Sequence, residues 1–381
     1  MMLSQKISIS FTVLLLFFAN SLQADESRIK ASGYIKNFLI LTDTQDDASA
    51  EVLSRLRLRL DIAVAESSSI EFAYELLPWL KESNAAFKEA SAGTVSLPYR
   101  AFDLEDMIYP EDETSGSSFL LAQNLDRLFL TVKTPSYDLY IGRQPVAFGS
   151  ARVINPTDII APFTYNTIAK EELMGVDAVR IKKPIADMGE LDIGLVFGDD
   201  FKPKESAAFL RLKTYKLKTD ITFMAMLFRE NLLASIDIAR SIGDAGAWLE
   251  AAQVFANGVD DYSSDGNYFR LSIGSDYSFT DKSYAYIEYH YNGAGEERKE
   301  SYGLSPSVTA YTEGAVYLLG KHYLAPGFTY EIMPLLSFSG NALINLNDRS
   351  LLLSPVLEYS MRQDVYADVG AFIGAGDGSS E

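Results

Sequence analysis

The stretch "SRLRLRLD", residues 54–61, places an arginine at every second position, with a leucine after each one. Side chains alternate across a β-strand, so an extended chain puts all the arginines on one face and all the leucines on the other. A helix would scatter both around its circumference. The alternation therefore predicts a strand with one apolar and one charged face. The arginines are Arg55, Arg57 and Arg59.

The chain begins with a segment typical of a secretory signal peptide. Residues 1–24, "MMLSQKISISFTVLLLFFANSLQA", carry one lysine, then an apolar run over residues 7–19, and end on a small residue. The run is too short for a membrane-spanning helix and lacks a stop-transfer flank. We expect cleavage after Ala24, with Ser21 as an alternative, which leaves residues 25–381 as the mature chain.

Composition excludes several classes of function. The net charge of −19 argues against a nucleic-acid partner, which requires a basic surface. The chain has no cysteine and two histidines, so it offers no disulfide framework and few ligands for a transition metal. We therefore expect no cofactor and no bound metal.

Alternating segments recur along the whole chain at the spacing of an outer-membrane barrel. The connectors alternate between short turns and long segments, and all the long ones fall on the same side. This is typical of an all-β, transmembrane, antiparallel up-and-down β-barrel with long external loops. We predict seventeen strands: 28–42, 51–65, 69–80, 124–134, 137–148, 177–184, 190–199, 207–215, 220–229, 232–241, 247–256, 267–278, 283–292, 321–331, 334–346, 350–360 and 364–373.

Seventeen is an odd number, whereas single-chain bacterial barrels close with an even one. The chain stops at the polar stretch "FIGAGDGSSE", residues 372–381. We therefore expect about eighteen strands in the full barrel, with the last strand missing from a C-terminally truncated chain. The expected location is the outer membrane of a Gram-negative bacterium. Expected partners are outer-membrane lipid and lipopolysaccharide, the barrel-assembly machinery, small anionic solutes and further copies of the chain.

Arginines on the strands must face the lumen, because an arginine at lipid mid-depth costs about 2–4 kcal/mol. Reflecting each hairpin about its turn places Lys133 opposite Asp138, Lys182 opposite Asp192, and Arg59 near Glu75. The remaining arginines have no acid across their hairpins and predict a positively charged belt in the lumen. Equally, they could stabilise the barrel wall by pairing with acids of an infolded loop. The belt is Arg55, Arg57, Arg127, Arg180 and Arg211; Arg59 and Arg270 complete the predicted pore lining.

The connector "GSARVINPTDIIAPFTYNTIAKEELMG", residues 149–175, is too apolar for a solvent loop. It predicts a loop folded into the lumen, with a turn at "NPTD" and candidate constriction residues Asn155 and Asp158. The alternative is a lid on the rim or a contact with another subunit. The apolar residues that need burial are Ile154, Ile159, Ile160, Phe163 and Ile168.

Two stretches resemble bacterial porin-like outer-membrane barrels. "YIGRQPVAFGSARVINPTD", residues 140–158, contains the Gly142-Arg143-Gln144 motif ahead of an Asn-Pro-x-Asp turn, and "ALINLNDRSLLLSPVLEYS", residues 342–360, resembles their final hairpins. The nearest group is the alginate-export-type porins, which implies an eighteen-stranded barrel with a basic lumen. Arg143 shares the parity of outward residues, so we expect it at the rim or on a bulge.

The leading hypothesis is a passive channel for small or polymeric anions. The alternative is a barrel sheath around a partner such as a multihaem cytochrome in an electron conduit. We do not expect an enzyme. A catalytic serine or aspartate needs a histidine partner, and the chain has only two histidines. We expect His290 in the external aromatic girdle, and His322 at the start of a strand.

Overall fold

The structure is a computed structural model that describes residues 6–17, 28–43, 48–81, 99–104, 107–110, 118–162, 172–186, 188–257, 266–307, 309–313, 316–377 and 380–381. The strands in these residues are β1 Lys6–Phe17, β2 Ile29–Asp43, β3 Ala48–Ala65, β4 Ser68–Lys81, β5 Met107–Tyr109, β6 Phe119–Lys133, β7 Asp138–Pro145, β8 Gly175–Ile185, β9 Gly189–Val196, β10 Ala207–Lys216, β11 Thr219–Phe228, β12 Asn231–Ile242, β13 Ala245–Phe255, β14 Tyr268–Thr280, β15 Ser283–Asn292, β16 His322–Met333, β17 Leu336–Asn345, β18 Leu351–Arg362 and β19 Val365–Gly376. Short 3₁₀ segments lie at Asp199–Phe201, Pro203–Glu205 and Lys299–Ser307, and one α-helical turn at Thr309–Thr312. None of the helices in these ranges has the length and hydropathy to cross a membrane.

All strands belong to one antiparallel sheet in which neighbours in sequence are neighbours in space. The short strand β5 is the exception, because it lies beside β6 while β4 and β6 pair directly. Strand β1 pairs with both β2 and β19, so the pairings return to their starting point. The predicted all-β, up-and-down barrel is confirmed, and each of the seventeen predicted strands overlaps one of β2–β4 and β6–β19.

The eighteenth place in the sheet lies between β2 and β19, and β1 occupies it. The sequence predicts this same segment as part of a signal peptide, and predicts the missing strand beyond Glu381. Cleavage of residues 1–24 and a further C-terminal strand both remain predictions.

Exposure shows which face of each strand points inward. On β3, the side chain of Leu58 is 48% exposed, whereas Arg57 is only 7% exposed. Outward leucines and inward arginines are the arrangement that the alternation in residues 54–61 predicts. The apolar core lies inside the barrel and not between two layers: buried residues of β8–β14 pack against residues 146–161 in the interior.

Candidate channel interior

Residues 146–162, called the inner segment below, run from the end of β7 into the barrel. Ile154, Ile159 and Ile160 are at most 2% exposed. Ile159 and Ile160 pack in the main interior cluster, and Ile154 packs against Leu318 and Tyr323 in a separate, smaller cluster. The predicted burial of these three isoleucines is confirmed, whereas Phe163 and Ile168 lie outside the described residues.

Two buried carboxylates on the barrel wall hold the main chain of the inner segment. Glu288 on β15 accepts hydrogen bonds from the backbone N–H of Arg152 at 2.7 Å and of Ile154 at 3.0 Å. Glu250 on β13 accepts from the N–H and the Oγ1 of Thr157 at 2.8 and 2.6 Å. Further donors are the N–H groups of Ser150, Ala151 and Val153 and the Nε1 of Trp248. A buried carboxylate can only accept, so these donors offset the cost of removing it from water.

The "NPTD" turn forms as predicted, because the N–H of Asp158 donates to the carbonyl of Asn155 at 3.2 Å. Asp158 is 4% exposed and faces the wall, and burial raises its pKa from 3.8 to about 7. The charged side chain that the inner segment exposes is Arg152, which is 52% exposed and lies 2.8 Å from Asp276. Its guanidinium also lies 5.4 Å from the ring of Trp248. Sequence reasoning missed Arg152, since nothing local indicates which side of an irregular segment faces the lumen.

The expectation that the belt arginines have no acid across their hairpins is wrong for Arg57 and Arg180, and Arg127 and Arg211 form ion pairs with acids elsewhere. Arg57 lies 2.7 Å from Glu75 and 2.5 Å from Asp126, and its side chain is 4% exposed. The other two pairs are Arg180 with Asp192, where Nε lies 2.8 Å from Oδ1, and Arg211 with Glu190 at 3.4 Å. The inner face of the N-terminal wall is therefore charged but largely neutralised.

The observed ion pairs differ from the predicted ones for two reasons. The register of a hairpin differs from a simple reflection about its turn, and a long side chain can reach an acid diagonally across the strands. Arg57, and not Arg59, lies opposite Glu75, because the β3–β4 turn is one residue shorter than predicted and the hairpin has a register shift between Ala63 and Ala65. The predicted alignments of Lys133 with Asp138 and Lys182 with Asp192 are confirmed. The carboxylate of Asp192 nevertheless binds Arg180 diagonally, since the guanidinium fork suits two carboxylate oxygens. Lys182 lies 3.8 Å from Glu190 instead.

The remaining predicted pore residues have different surroundings. Arg127 lies 2.7 Å from Asp126, its neighbour at a register shift of β6. Arg270 is 3% exposed and donates to the carbonyl of Pro156 in the inner segment at 3.5 Å. Arg59 is half exposed and lies 3.0 Å from Glu71. Arg55 forms no ion pair with any residue that the structure describes, and its Nε has no hydrogen-bond partner there.

Arg143 follows a backbone distortion at Gly142, but the expected bulge is absent, because β7 pairs with β6 and β8 without a register shift. Gly142 has φ +116°, and a Cβ there would lie 2.3 Å from the Leu128 carbonyl oxygen, so glycine is required. Arg143 is 2% exposed, and its guanidinium binds Asp177 at 2.8 Å and Asp103 at 2.7 Å. It thereby fixes part of the long β4–β6 connector to the barrel wall. Gln144 donates to the carbonyl of Ala178 at 3.1 Å.

The expected position of His290 in an outer girdle is wrong. It is 2% exposed on the inner face, and its Nδ1 lies 2.8 Å from the Oγ of Ser272. Ser272 donates to the carbonyl of Ile154 at 2.6 Å, so this pair fastens the inner segment to the wall. A girdle position was inferred from neighbouring tyrosines, which in fact alternate between the two faces of β15. His322 begins β16, as expected. No group of three metal-binding side chains occurs in the described ranges.

The inner face is most open at mid-strand on β17 and β18. On most other strands the inward side chains of the external half are buried. On β17 and β18, Asn341 is exposed and Ser354 is partly exposed. A passage through the barrel would therefore follow these strands, beside the inner segment's attachment to β12–β15.

A scan against protein-family models finds no match, and a search of curated proteins finds none either. Among solved structures, Acinetobacter baumannii OccAB2 is similar with a TM-score of 0.54 at 9% identity, over 98% of this chain and 97% of that one. OccAB4 of the same organism gives 0.53 at 9% identity, over 97% and 96%. A Rhodobacter blastica porin variant gives 0.43 at 11% identity, over 98% and 100%. The resemblance to alginate-export-type porins stays a prediction. The chain has the fold of a porin-like β-barrel.

Proposed function

We propose that the chain forms an outer-membrane channel through which small polar solutes diffuse passively. The observation that carries the proposal is the contrast between two neighbouring parts of the barrel wall. The inner segment narrows the barrel along β12–β15, while Asn341 on β17 and Ser354 on β18 leave a polar inner face that solvent reaches. A lumen that is narrowed but not filled suits selective diffusion and needs no moving part.

The predicted preference for anions is the narrower part of this proposal. It rests on Arg55, which forms no ion pair with a described residue, and on Arg59 and Arg211, whose ion pairs with Glu71 and Glu190 are partly exposed. Arg57 and Arg180, in contrast, are buried in their ion pairs. Carboxylates on the open wall, such as Glu358, act in the opposite direction. We therefore expect the preference for anions to be mild, and polymeric anions to be excluded by the inner segment.

The alternative, a sheath around a separate protein, fits this interior less well. A sheath must leave its lumen empty for its partner, whereas here a segment of the chain itself is bonded to Glu250, Ser272 and Glu288 inside the barrel. Nor does the buried Ser272–His290 pair offer an exposed nucleophile, because the serine hydroxyl is already used on a backbone carbonyl.

Single-channel recording of the full chain in a planar lipid bilayer tests the proposal. We expect stable stepwise conductance in potassium chloride. Under a salt gradient we expect a small zero-current potential whose sign indicates a preference for anions. A barrel that inserts and gives no conductance would contradict the channel. Conductance with cation selectivity would contradict only the anion preference.

A further inference from the structure

A pocket of about 340 Å³ lies at the end of the barrel where the β14–β15 and β16–β17 turns meet. Its walls are formed by residues of these two turns and by side chains of β14–β18. The volume lies within the range of about 300–1,000 Å³ that is usual for small-molecule sites. A solute that passes along this wall enters or leaves the barrel through the pocket.

Hydroxyl groups are the largest class in the lining of the pocket: of its fifteen residues, four are charged, four are apolar and seven carry a hydroxyl. Four of them make no side-chain hydrogen bond to another residue in the described ranges, so they bond to water or to a solute: Ser278, Thr329, Ser337 and Ser360. Each hydroxyl both donates and accepts. Three carboxylates stand among them: Asp281 lies in the β14–β15 turn, Glu331 lies 3.6 Å from Lys282, and Glu358 is exposed opposite Ser337.

This mixture discriminates between classes of solute. An anion offers only acceptors and would be repelled by Glu331 and Glu358. An ammonium group offers only donors, so it could not use the donor capacity of the hydroxyls, and Lys282 offsets part of the acidic charge. A sugar hydroxyl donates and accepts at once, as the serine and threonine hydroxyls do. Only this last class matches both functions of the lining.

We propose that the pocket is a binding subsite for an uncharged polyhydroxylated solute of roughly monosaccharide size. The inference rests on the proposed channel function and names a solute class for it. The mild ion preference of the channel and this subsite are separate properties, because the belt arginines lie on the opposite wall.

Bilayer recordings of the full chain with added glucose, gluconate or ethanolamine test the proposal. Glucose should reduce the potassium chloride current in a saturable way, at concentrations where gluconate and ethanolamine do not. The variant Ser337→Ala with Ser360→Ala should weaken the glucose effect about thirtyfold, since two hydrogen bonds of about 1 kcal/mol each are lost. The matched control is Ser32→Ala with Ser69→Ala, two exposed hydroxyls at the same end of the opposite wall, which should leave it unchanged.

Absence of a glucose effect in a conducting channel would overturn the subsite while leaving the channel intact. Equal block by gluconate or ethanolamine would overturn the solute class. An equal loss in the control variant would show that the hydroxyls of this pocket are not special. Absence of any potassium chloride conductance would instead contradict the channel itself, so the two failures are distinguishable.

Discussion

Arg57 and Glu75 lie directly opposite each other on β3 and β4, with the guanidinium 2.7 Å from the carboxylate and both side chains at most 7% exposed. The carboxylate of Asp126 on β6 lies 2.5 Å from the same guanidinium. Removal of one member of a buried pair leaves an uncompensated charge, which typically costs about 3–5 kcal/mol.

We therefore expect Arg57→Gln to lower the free energy of unfolding by about 3 kcal/mol or more in urea titrations of the reconstituted protein. Arg59→Gln, on the same strand and face, is the control. Arg59 is half exposed beside Glu71, so its loss should cost less than about 1 kcal/mol. Equal costs would mean that burial is not what makes the Arg57 pair important.

Ion selectivity should depend on Arg55 more than on Arg57. Arg55→Gln removes a charge that has no ion pair among the described residues, so the zero-current potential should move toward cations. The double variant Arg57→Gln with Glu75→Gln removes one charge of each sign, and should leave the potential unchanged. A larger shift from the double variant would place the selective charge at the buried pair.

Conductance should rise when the inner segment loses its anchors. Glu250→Gln with Glu288→Gln replaces acceptor-only carboxylates by amides, which accept through one oxygen only and more weakly. We expect a larger and noisier single-channel current than in wild type. Glu71→Gln, which removes a wall carboxylate without a bond to the inner segment, should leave the current level nearly unchanged. Unaltered current in the double variant would mean that apolar packing alone holds the segment.

The docking of the inner segment should weaken as pH rises. Burial raises the pKa of Asp158 to about 7, above its ordinary value of 3.8, so the folded protein keeps a proton that the unfolded chain loses. Its contribution is complete below about pH 4 and is lost as pH rises through about 7. Current noise should therefore increase between pH 5 and pH 8, and Asp158→Asn should abolish that increase. Persistence of the pH effect in the variant would assign it to another group.

Local alternation allowed the strands and their inward faces to be predicted, because both follow from residue spacing alone. The partner of each arginine could not be predicted in the same way. A shorter turn and a register shift near Ala63 together move Glu75 from Arg59 to Arg57, and Asp126 lies on β6, which follows a long connector. The turn at Asn155 was predictable from its proline. The inner segment exposes Arg152 and buries Asp158, and this depends on wall carboxylates about 100 residues or more away in the sequence.

Glu250 and Glu288 hold the inner segment chiefly by its backbone N–H groups, which nearly every amino acid supplies. The side chain of Arg152, which pairs with Asp276, is therefore only one of several anchors of the segment that carries it. Replacement of this residue by a neutral or acidic one should change the charge met by a passing solute without dislodging the segment. A substitution at this position can thus change which solutes pass without changing the stability of the barrel. A chain of this design could therefore acquire a new specificity by a single substitution.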